Sequence, residues 1–395
     1  MNMISLKQFA RAASAAVLLM AAACSPGGEK GASSSAPAGD GTKFALDASW
    51  PKMLPDNWQI GPLTGIYVDK HGLVWTANQS VALNDYDTVK ERGAGYCCIR
   101  APEVIAFNDA GDVVKSWRTS GEAATKGGYM PSARPHTIYV DDKDNVWLTG
   151  HGEGETHVLK FDYNGKFLMQ IGGSTEVGCC GNSDTKNIHG GTGIAVWPAT
   201  NEVFVTDGYE NRRIIVFDAD TGAFKRMWGA YGKPPPKDAY DPKLKRMASP
   251  EPTRTFEGAG AESWSTVHGV TITPDGTVWV ADRVGNRIQR FKIDGTYIDE
   301  HFVARESTFP TGTVYNFSFS RDPDMKYVYI GDGGNKKVHI LDRKTMKEVG
   351  FIGGCGGQMI GCLNHVHLGV TDMKGNVYTG EAAAGARIQR WNLVK

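Results

Sequence analysis

The sequence has 395 residues, of which 41% are hydrophobic and 22% are charged. Its 43 basic and 43 acidic residues cancel, so we expect no basic surface for nucleic acid. The chain is also longer than one compact core requires.

The N-terminal region has the pattern of a targeting segment followed by a flexible linker. Two basic residues precede an apolar run over 15–23, which is too short to span a bilayer and ends in small residues before Cys24. This pattern resembles a bacterial lipoprotein cleavage box. We therefore predict a lipoprotein signal peptide over 1–24, lipidation of Cys24 and a flexible linker over 25–42. An ordinary cleaved signal peptide is the alternative.

From residue 43 onward, one strand pattern recurs six times. Its clearest copy, over 265–295, has three short strands rich in Val, Ile, Trp and Phe, separated by Gly-containing turns. The second strands of the copies are predicted over 73–78, 145–150, 202–207, 277–282, 327–332 and 376–381. The third strands are predicted over 104–107, 157–161, 214–217, 288–291, 338–341 and 388–391. This repeat predicts an all-β fold, a six-bladed β-propeller over 43–395.

The sixth copy reaches the end of the sequence after its third strand. A blade left in that state would expose an open sheet edge. Residues 43–50 are the natural candidate for the missing outer strand, so we predict that they close the ring.

Six cysteines remain after Cys24, an even number that favours disulfides in an exported chain. They are Cys97, Cys98, Cys179, Cys180, Cys355 and Cys362. Cys355 and Cys362 share one Gly-rich loop and are predicted to pair. The two adjacent pairs could form vicinal bridges or link loop to loop. A zinc–thiolate site is the rival interpretation, but no Cys-x-x-Cys spacing supports it.

One face of the propeller is predicted to carry the function. Turns joining first to second and third to fourth strands are short. Loops joining second to third strands, and one blade to the next, lie on the opposite face and include long segments over 79–103, 119–134, 173–191 and 230–265. These two kinds of loop hold all six cysteines, and we call their side of the propeller the working face, because function concentrates in loops on a rigid scaffold.

The residues that open the six first strands on this face form a predicted ring. In blade order they are Thr64, His136, Thr192, His268, Tyr315 and His367. The histidines occupy alternate blades, so three imidazoles would converge on the channel axis. Three His ligands with an open position are typical of catalytic zinc, and imidazole also suits copper or iron. A packing role at a strand start is the alternative for each histidine taken alone.

Two further residues follow second strands on the working face. Tyr209 could act as an acid or base beside a metal, and Arg283 could hold a carboxylate. His365 is predicted to lie beside the ring as a supporting residue. The histidines without this register are given ordinary packing or surface roles: His71, His151, His157, His189, His301 and His339.

The Asp-Gly turns and the Asn-Arg-Ile segments that enter third strands resemble NHL-repeat propellers. The site residues are similar to those of the lyase domain of peptidylglycine α-amidating enzymes. That resemblance implies zinc on His136, His268 and His367, general acid/base work by Tyr209 and substrate binding by Arg283. The chain departs from that family at Ala77-Asn78, His365 and Leu368, where the family has Arg, Met and Asp. It also resembles bacterial exported NHL-repeat proteins with a Cys-Cys loop.

Together these observations predict a metal-dependent carbon–nitrogen lyase of the peptidyl-α-hydroxyglycine type, acting on a small polar or peptide substrate. The expected cofactor is zinc, with copper or iron as alternatives and structural calcium as an addition. We expect a monomer at the cell envelope, facing the periplasm and bound to the membrane, the outer one by preference, through its lipid alone. One rival is a non-catalytic propeller that binds a protein, peptide or glycan. Copper-based redox chemistry is the other.

Overall fold

The computed structural model describes residues 43–241, 246–248 and 254–394. Six four-stranded antiparallel sheets follow one another along the chain and form a six-bladed β-propeller, which confirms the predicted fold class. The predicted signal peptide, Cys24 and the linker lie outside the described residues.

Each blade contributes four strands. The first three blades comprise Leu63–Val68, Val74–Asn78, Val104–Phe107 and Val113–Trp117; Pro135–Val140, Val146–Gly150, His157–Phe161 and Phe167–Gly172; Gly191–Trp197, Glu202–Asp207, Arg213–Asp218 and Phe224–Trp228. The next two comprise Val267–Ile272, Thr277–Asp282, Arg287–Lys292 and Tyr297–Phe302; Asn316–Phe319, Tyr327–Asp332, Lys337–Asp342 and Glu348–Gly353. Blade six comprises Val366–Thr371, Val377–Glu381, Arg387–Val394 and the N-terminal strand Lys43–Asp47.

The N-terminal strand closes the ring, as predicted. Lys43–Asp47 pairs antiparallel with Arg387–Val394, from Lys43 opposite Val394 to Asp47 opposite Arg390. Hydrogen bonds from Ser49 and from Arg390 hold the pKa of Asp47 well below its ordinary value. This first-to-last pairing leaves blade six without an open edge.

The side opposite the working face is built from tight aspartate turns. In blade one, Asp69 accepts the backbone N–H groups of His71 and Leu73 (both 2.9 Å) and the indole N–H of Trp75 (2.7 Å). Asp141 accepts the indole N–H of Trp147 (2.8 Å) in the same way in blade two. In these two blades the turn aspartate therefore links its turn to a buried tryptophan side chain.

On the working face, buried ion pairs join the end of a second strand to the start of the third. Asp282 lies 2.9 Å from Arg287 Nε, and both side chains are 1% exposed. Asp207 and Arg213 form the equivalent pair in blade three, as do Glu381 and Arg387 in blade six. Asp282 also accepts the backbone N–H of Ser265 (3.0 Å) from the incoming blade connection. The arginine that begins the third strand is thus the anchor of the working-face loop in these three blades.

The remaining elements lie outside the six four-stranded sheets. They are the α-helix Gly121–Gly127, the 3-10 helices Pro55–Asn57, Ser80–Ala82 and Ala230–Gly232, and the strand pairs Trp58–Gln59 with Ile99–Arg100 and Ala239–Asp241 with Arg246–Ala248. In the part of the chain that the structure describes, no helix is long and apolar enough to cross a membrane.

Candidate metal centre

A bulge at the start of the first strand directs the ring residues toward the channel axis. The strand register shifts between Pro135 and Thr137, so His136 has no partner of its own in the ladder. The same shift isolates Thr64, Thr192, His268 and His367. In blade five, Tyr315 directly precedes the first strand. Bulges commonly redirect a side chain beside a functional site.

The structure brings His136, His268 and His367 together. Each offers a ring nitrogen, and the three nitrogens lie within 4.8 Å of one another. The three ring centroids are 4.8 Å apart in every pair, and no side chain is more than 3% exposed. Alternate blades of a six-fold ring have thus placed one histidine every third of a turn around a single point.

Backbone carbonyls of the intervening blades orient these imidazoles. His136 Nδ1 lies 2.9 Å from the carbonyl of Thr192, and His268 Nδ1 hydrogen-bonds the carbonyl of Tyr315. The Thr64 carbonyl lies beside His367, whose buried Nδ1 makes no well-formed hydrogen bond within the described residues. An Nδ1–H held by a carbonyl leaves the Nε2 lone pair for a ligand on the axis.

The site keeps its histidines neutral. Burial is the main cause that lowers the pKa of His268 well below its ordinary value, and the Arg283 cation and the other two imidazoles add to it. Burial likewise lowers the pKa of His136 and of His367. Neutral imidazole is the form that binds metal ions. Three buried, neutral imidazoles, two of them oriented by a backbone carbonyl, fit a three-His metal centre.

Tyr209 contacts His136 and His268, and Arg283 lies 3.1 Å from His268 Nε2. The Tyr209 hydroxyl is 3.0 Å from His136 Nε2 and 3.4 Å from His268 Nε2. Arg283 donates one N–H to Tyr209 Oη at 3.2 Å, and its guanidinium lies between the rings of Tyr209 and Tyr315, 5.3 and 5.0 Å from their centroids. The buried Nε of Arg283 has no hydrogen-bond partner among the described residues. A phenol and an unpaired guanidinium N–H therefore meet at the three-His cluster.

His365 contributes less directly. Its ring packs against Tyr315 at 5.3 Å between centroids, and burial lowers its pKa to about 4. Through Tyr315 it supports both the carbonyl that orients His268 and the ring under Arg283.

Sequence reasoning missed His151, which had been given an ordinary packing or surface role. The structure places its ring 5.4 Å from that of His136 and 4.8 Å from that of Tyr209. Its Nε2 lies 3.0 Å from the side-chain amide of Gln79. Gln79, His151 and Arg283 each directly follow the second strand of their blade. Comparing that position across all six blades would have found the first two.

The described cysteines form three disulfides: Cys97–Cys98, Cys179–Cys180 and Cys355–Cys362. The predicted Cys355–Cys362 pairing is therefore confirmed, and the two adjacent pairs are vicinal bridges. The loop-to-loop alternative and the zinc–thiolate alternative are both wrong.

Comparison with known families places an NHL repeat at residues 265–291. That stretch contains His268, Arg283 and the Asp282–Arg287 ion pair. The motif that anchors the working-face loop of blade four is thus the one that the family model matches.

Three relatives share sequence similarity with different lengths of this chain. The Rattus norvegicus peptidylglycine alpha-amidating monooxygenase is 31% identical over 163 residues, covering 40% of this chain and 14% of that protein. The Drosophila melanogaster peptidyl-alpha-hydroxyglycine alpha-amidating lyase 2 is 28% identical over 177 residues, covering 42% of this chain and 40% of the relative. The Mus musculus NHL repeat-containing protein 3 is 26% identical over 319 residues, covering 79% and 72%. The chain is therefore homologous to amidating enzymes and hydroxyglycine lyases, and it spans only a small part of the rat enzyme.

Among solved structures, a streptogramin B lyase superposes with a TM-score of 0.50 at 15% identity, over 89% of this chain and 98% of the other. This likeness shows the shared propeller fold.

Proposed function

We propose that this chain is a metal-dependent lyase of the peptidyl-α-hydroxyglycine type, which splits an N-acyl-α-hydroxyglycine into an amide and glyoxylate. The observation that carries the proposal is the convergence of His136, His268 and His367 with Tyr209 and Arg283. Homology to a hydroxyglycine lyase supports the reaction class.

The three imidazoles would hold zinc, which keeps one coordination position open in such sites. The bound ion would supply Lewis-acid polarisation of the substrate hydroxyl oxygen. Copper and iron are the alternatives that imidazole ligands also accept.

Tyr209 performs the proton transfer in this proposal. Its hydroxyl is within hydrogen-bond distance of His136 Nε2, so it faces the position where a hydroxyl bound on the axis would lie. The Tyr209 oxygen takes the substrate O–H proton as the phenol passes its own proton to the departing nitrogen. The carbon–oxygen double bond forms and the carbon–nitrogen bond breaks, so the step needs no oxidant or reductant.

Arg283 binds the substrate carboxylate. Its guanidinium is already fixed by the rings of Tyr209 and Tyr315, which reduces the conformational entropy lost on binding. The buried Nε provides a donor that no described residue uses. A carboxylate held there would keep the reacting carbon beside Tyr209.

Metal content and activity test the proposal together. Protein purified without added metal or a His tag should carry about one equivalent of zinc by mass spectrometry, and it should release glyoxylate from N-benzoyl-α-hydroxyglycine. The double variant His136→Ala, His268→Ala should lose both. His71→Ala is the matched control, since His71 lies on the opposite side of the propeller in the turn formed by Asp69. Copper or iron in place of zinc would favour redox chemistry, and absence of any metal would refute the lyase.

A non-catalytic binding propeller is the second candidate. The working-face loops expose large apolar side chains beside their disulfides, among them Tyr96, Val177 and Met359, which are 97%, 71% and 78% exposed. Such side chains suit a protein or peptide partner. This function would survive loss of the histidines, so a partner captured equally by the wild type and the double variant would favour it.

The proposed location is the cell envelope, with lipid on Cys24 holding the propeller on the periplasmic side of a membrane. Labelling with radioactive palmitate should mark the wild-type chain and not Cys24→Ser. Equal labelling of the two would refute the anchor.

A further inference from the structure

The central channel contains a cavity that the proposed lyase does not use. It has a volume of about 530 Å³ and is lined by first strands of all six blades, starting directly below the histidine cluster and continuing toward the aspartate-turn side. Small-molecule sites commonly occupy roughly 300–1,000 Å³. The cavity therefore has the size of a ligand site.

The wall of this cavity is more apolar than polar, although it is made of strand edges. The first strand of each blade is an edge strand, so some of its backbone N–H and C=O groups would face the channel without a partner in the sheet. Hydroxyls of the adjacent blade bind these carbonyls instead: Thr137 donates to the carbonyl of Thr192 at 2.6 Å, and Ser318 donates to that of Gly369 at 2.8 Å. With edge carbonyls satisfied in this way, the wall has less need of water.

Aliphatic side chains line the wall on most blades. Ile66, Ile138, Ile194, Val270 and Val370 come from five different blades. An apolar molecule surrounded by such side chains would gain roughly 25 cal/mol for each Å² of apolar surface removed from water. The wall thus offers its largest stabilisation to a hydrocarbon or aromatic body.

The mouth of the cavity carries balanced charge. Of the described residues that line the cavity, only Arg321 and Asp142 are charged. Arg321 is held by the carbonyls of Thr371 and Val68, both at 3.3 Å. A charged ligand would lose its hydration inside the apolar wall without a partner there. The rings of Tyr67 and Tyr139, 4.7 Å apart, add an aromatic rim.

We propose that this cavity is a second binding site, which takes one small, uncharged, largely apolar or aromatic molecule from the side opposite the metal centre. The site is independent of the lyase chemistry, because its lining contains none of the three histidines.

Fluorescence titration with N-phenyl-1-naphthylamine tests the proposal on the full chain. The uncharged probe should bind with a stoichiometry near one. Val370→Phe, which places a phenyl ring in the cavity, should weaken binding at least tenfold. Val114→Phe is the matched control on the outer strand of blade one, where Val114 is 46% exposed, and it should bind as the wild type does.

Other results would overturn the site. These are absence of probe binding to the wild type, or equal binding by Val370→Phe and Val114→Phe. Val196→Phe, on blade three, gives the same test should Val370→Phe fail to fold. The anionic analogue 1-anilinonaphthalene-8-sulfonate should bind at least tenfold more weakly than the uncharged probe at this site, and equal affinity would refute the uncharged class.

Discussion

The two ends of the channel are made by the same strands and have opposite chemistry. On blade four, His268 belongs to the polar cluster at the working face, and Val270 lines the apolar cavity. Between them the strand passes from a bulge to regular pairing, in which Val270 lies opposite Val280. One inserted residue in five of the six blades therefore separates the histidine cluster from the aliphatic part of the wall. We therefore expect that a substitution at one end of the channel leaves the other end intact.

The largest expected effect tests that independence on a single strand. His268→Ala removes one of the three proposed ligands, so zinc should fall from about one equivalent to near none. Glyoxylate release should fall more than about 100-fold, since changes outside the ligand set alone cost 10–100-fold. Val270→Ala, two residues further along, should keep its zinc. Equal loss of metal in both variants would show that the two ends are not independent.

The sequence was sufficient to predict most of the histidine cluster at the working face. Each second strand was predicted within a residue of its bounds, because Val-Trp-Val-type runs end at an acidic or small residue that recurs in every blade. Once that register was known, the alternation of His136, His268 and His367 with non-histidine positions followed. The bulge that redirects their side chains leaves no comparable sequence signal, since it depends on pairing with the second strand.

Other features depended on contacts that no local pattern reports. The approach of His151 to His136 and Tyr209 depends on how blades two and three pack against each other. The vicinal pairing of Cys97 with Cys98 could not be chosen from sequence, because the distance between loops is a tertiary property. The cavity arises from how first-strand side chains of six blades fill the axis, and its volume cannot be obtained from any one repeat.

The next prediction compares an acidic residue at each end of blade four. Asp282 is buried on the working face with Arg287, whereas Asp275 lies in the opposite turn, with its side chain 57% exposed beside Arg343. Asp282→Ala would leave the buried Arg287 guanidinium with Glu300 (3.0 Å) but without Asp282, and it would remove the acceptor of the Ser265 N–H. Together these losses should cost about 3 kcal/mol of unfolding free energy. Asp275→Ala should cost about 1 kcal/mol or less, because an exposed pair contributes little.

Urea denaturation followed by tryptophan fluorescence measures both variants. Stabilisation of the working face by its buried ion pairs requires that Asp282→Ala lower the free energy of unfolding much more than Asp275→Ala does. Similar losses would mean that the turn and the working-face loop contribute equally to the blade.

A smaller effect is expected at His151, which packs against His136 and Tyr209 but is not one of the three proposed ligands. His151→Phe keeps a ring against His136 and Tyr209 and removes the contact with Gln79. Glyoxylate release should fall about 10–100-fold, with zinc content unchanged, as for residues that orient a metal site. His71→Phe, on the opposite side of the propeller, should change neither. A wild-type rate in His151→Phe would assign His151 to packing alone.

The smallest effect contrasts the neutral histidines of the channel with a histidine that the fold keeps charged. His339, in the third strand of blade five, lies between Asp332 (3.0 Å) and Glu348 (2.6 Å), and Lys337 is the nearby cation. Burial lowers its pKa, but the two carboxylate hydrogen bonds outweigh burial and raise the pKa above its ordinary value. The fold therefore shifts the pKa of the same residue type in opposite directions in two parts of one protein.

The sign of the pH effect follows from that raised pKa. The unfolded chain releases the His339 proton near its ordinary value of about 6.5, while the folded chain still holds it. The contribution of His339 to stability is therefore complete below that pH and is lost as the pH rises through the folded pKa. Every tenfold gain in proton affinity on folding adds about 1.4 kcal/mol to the unfolding free energy. His339→Gln should flatten the dependence between pH 6 and 9, measured by urea denaturation, while zinc binding at the channel stays unchanged. An unaltered pH profile in that variant would mean that the two carboxylates do not hold His339 charged, and the contrast with the channel histidines would fail.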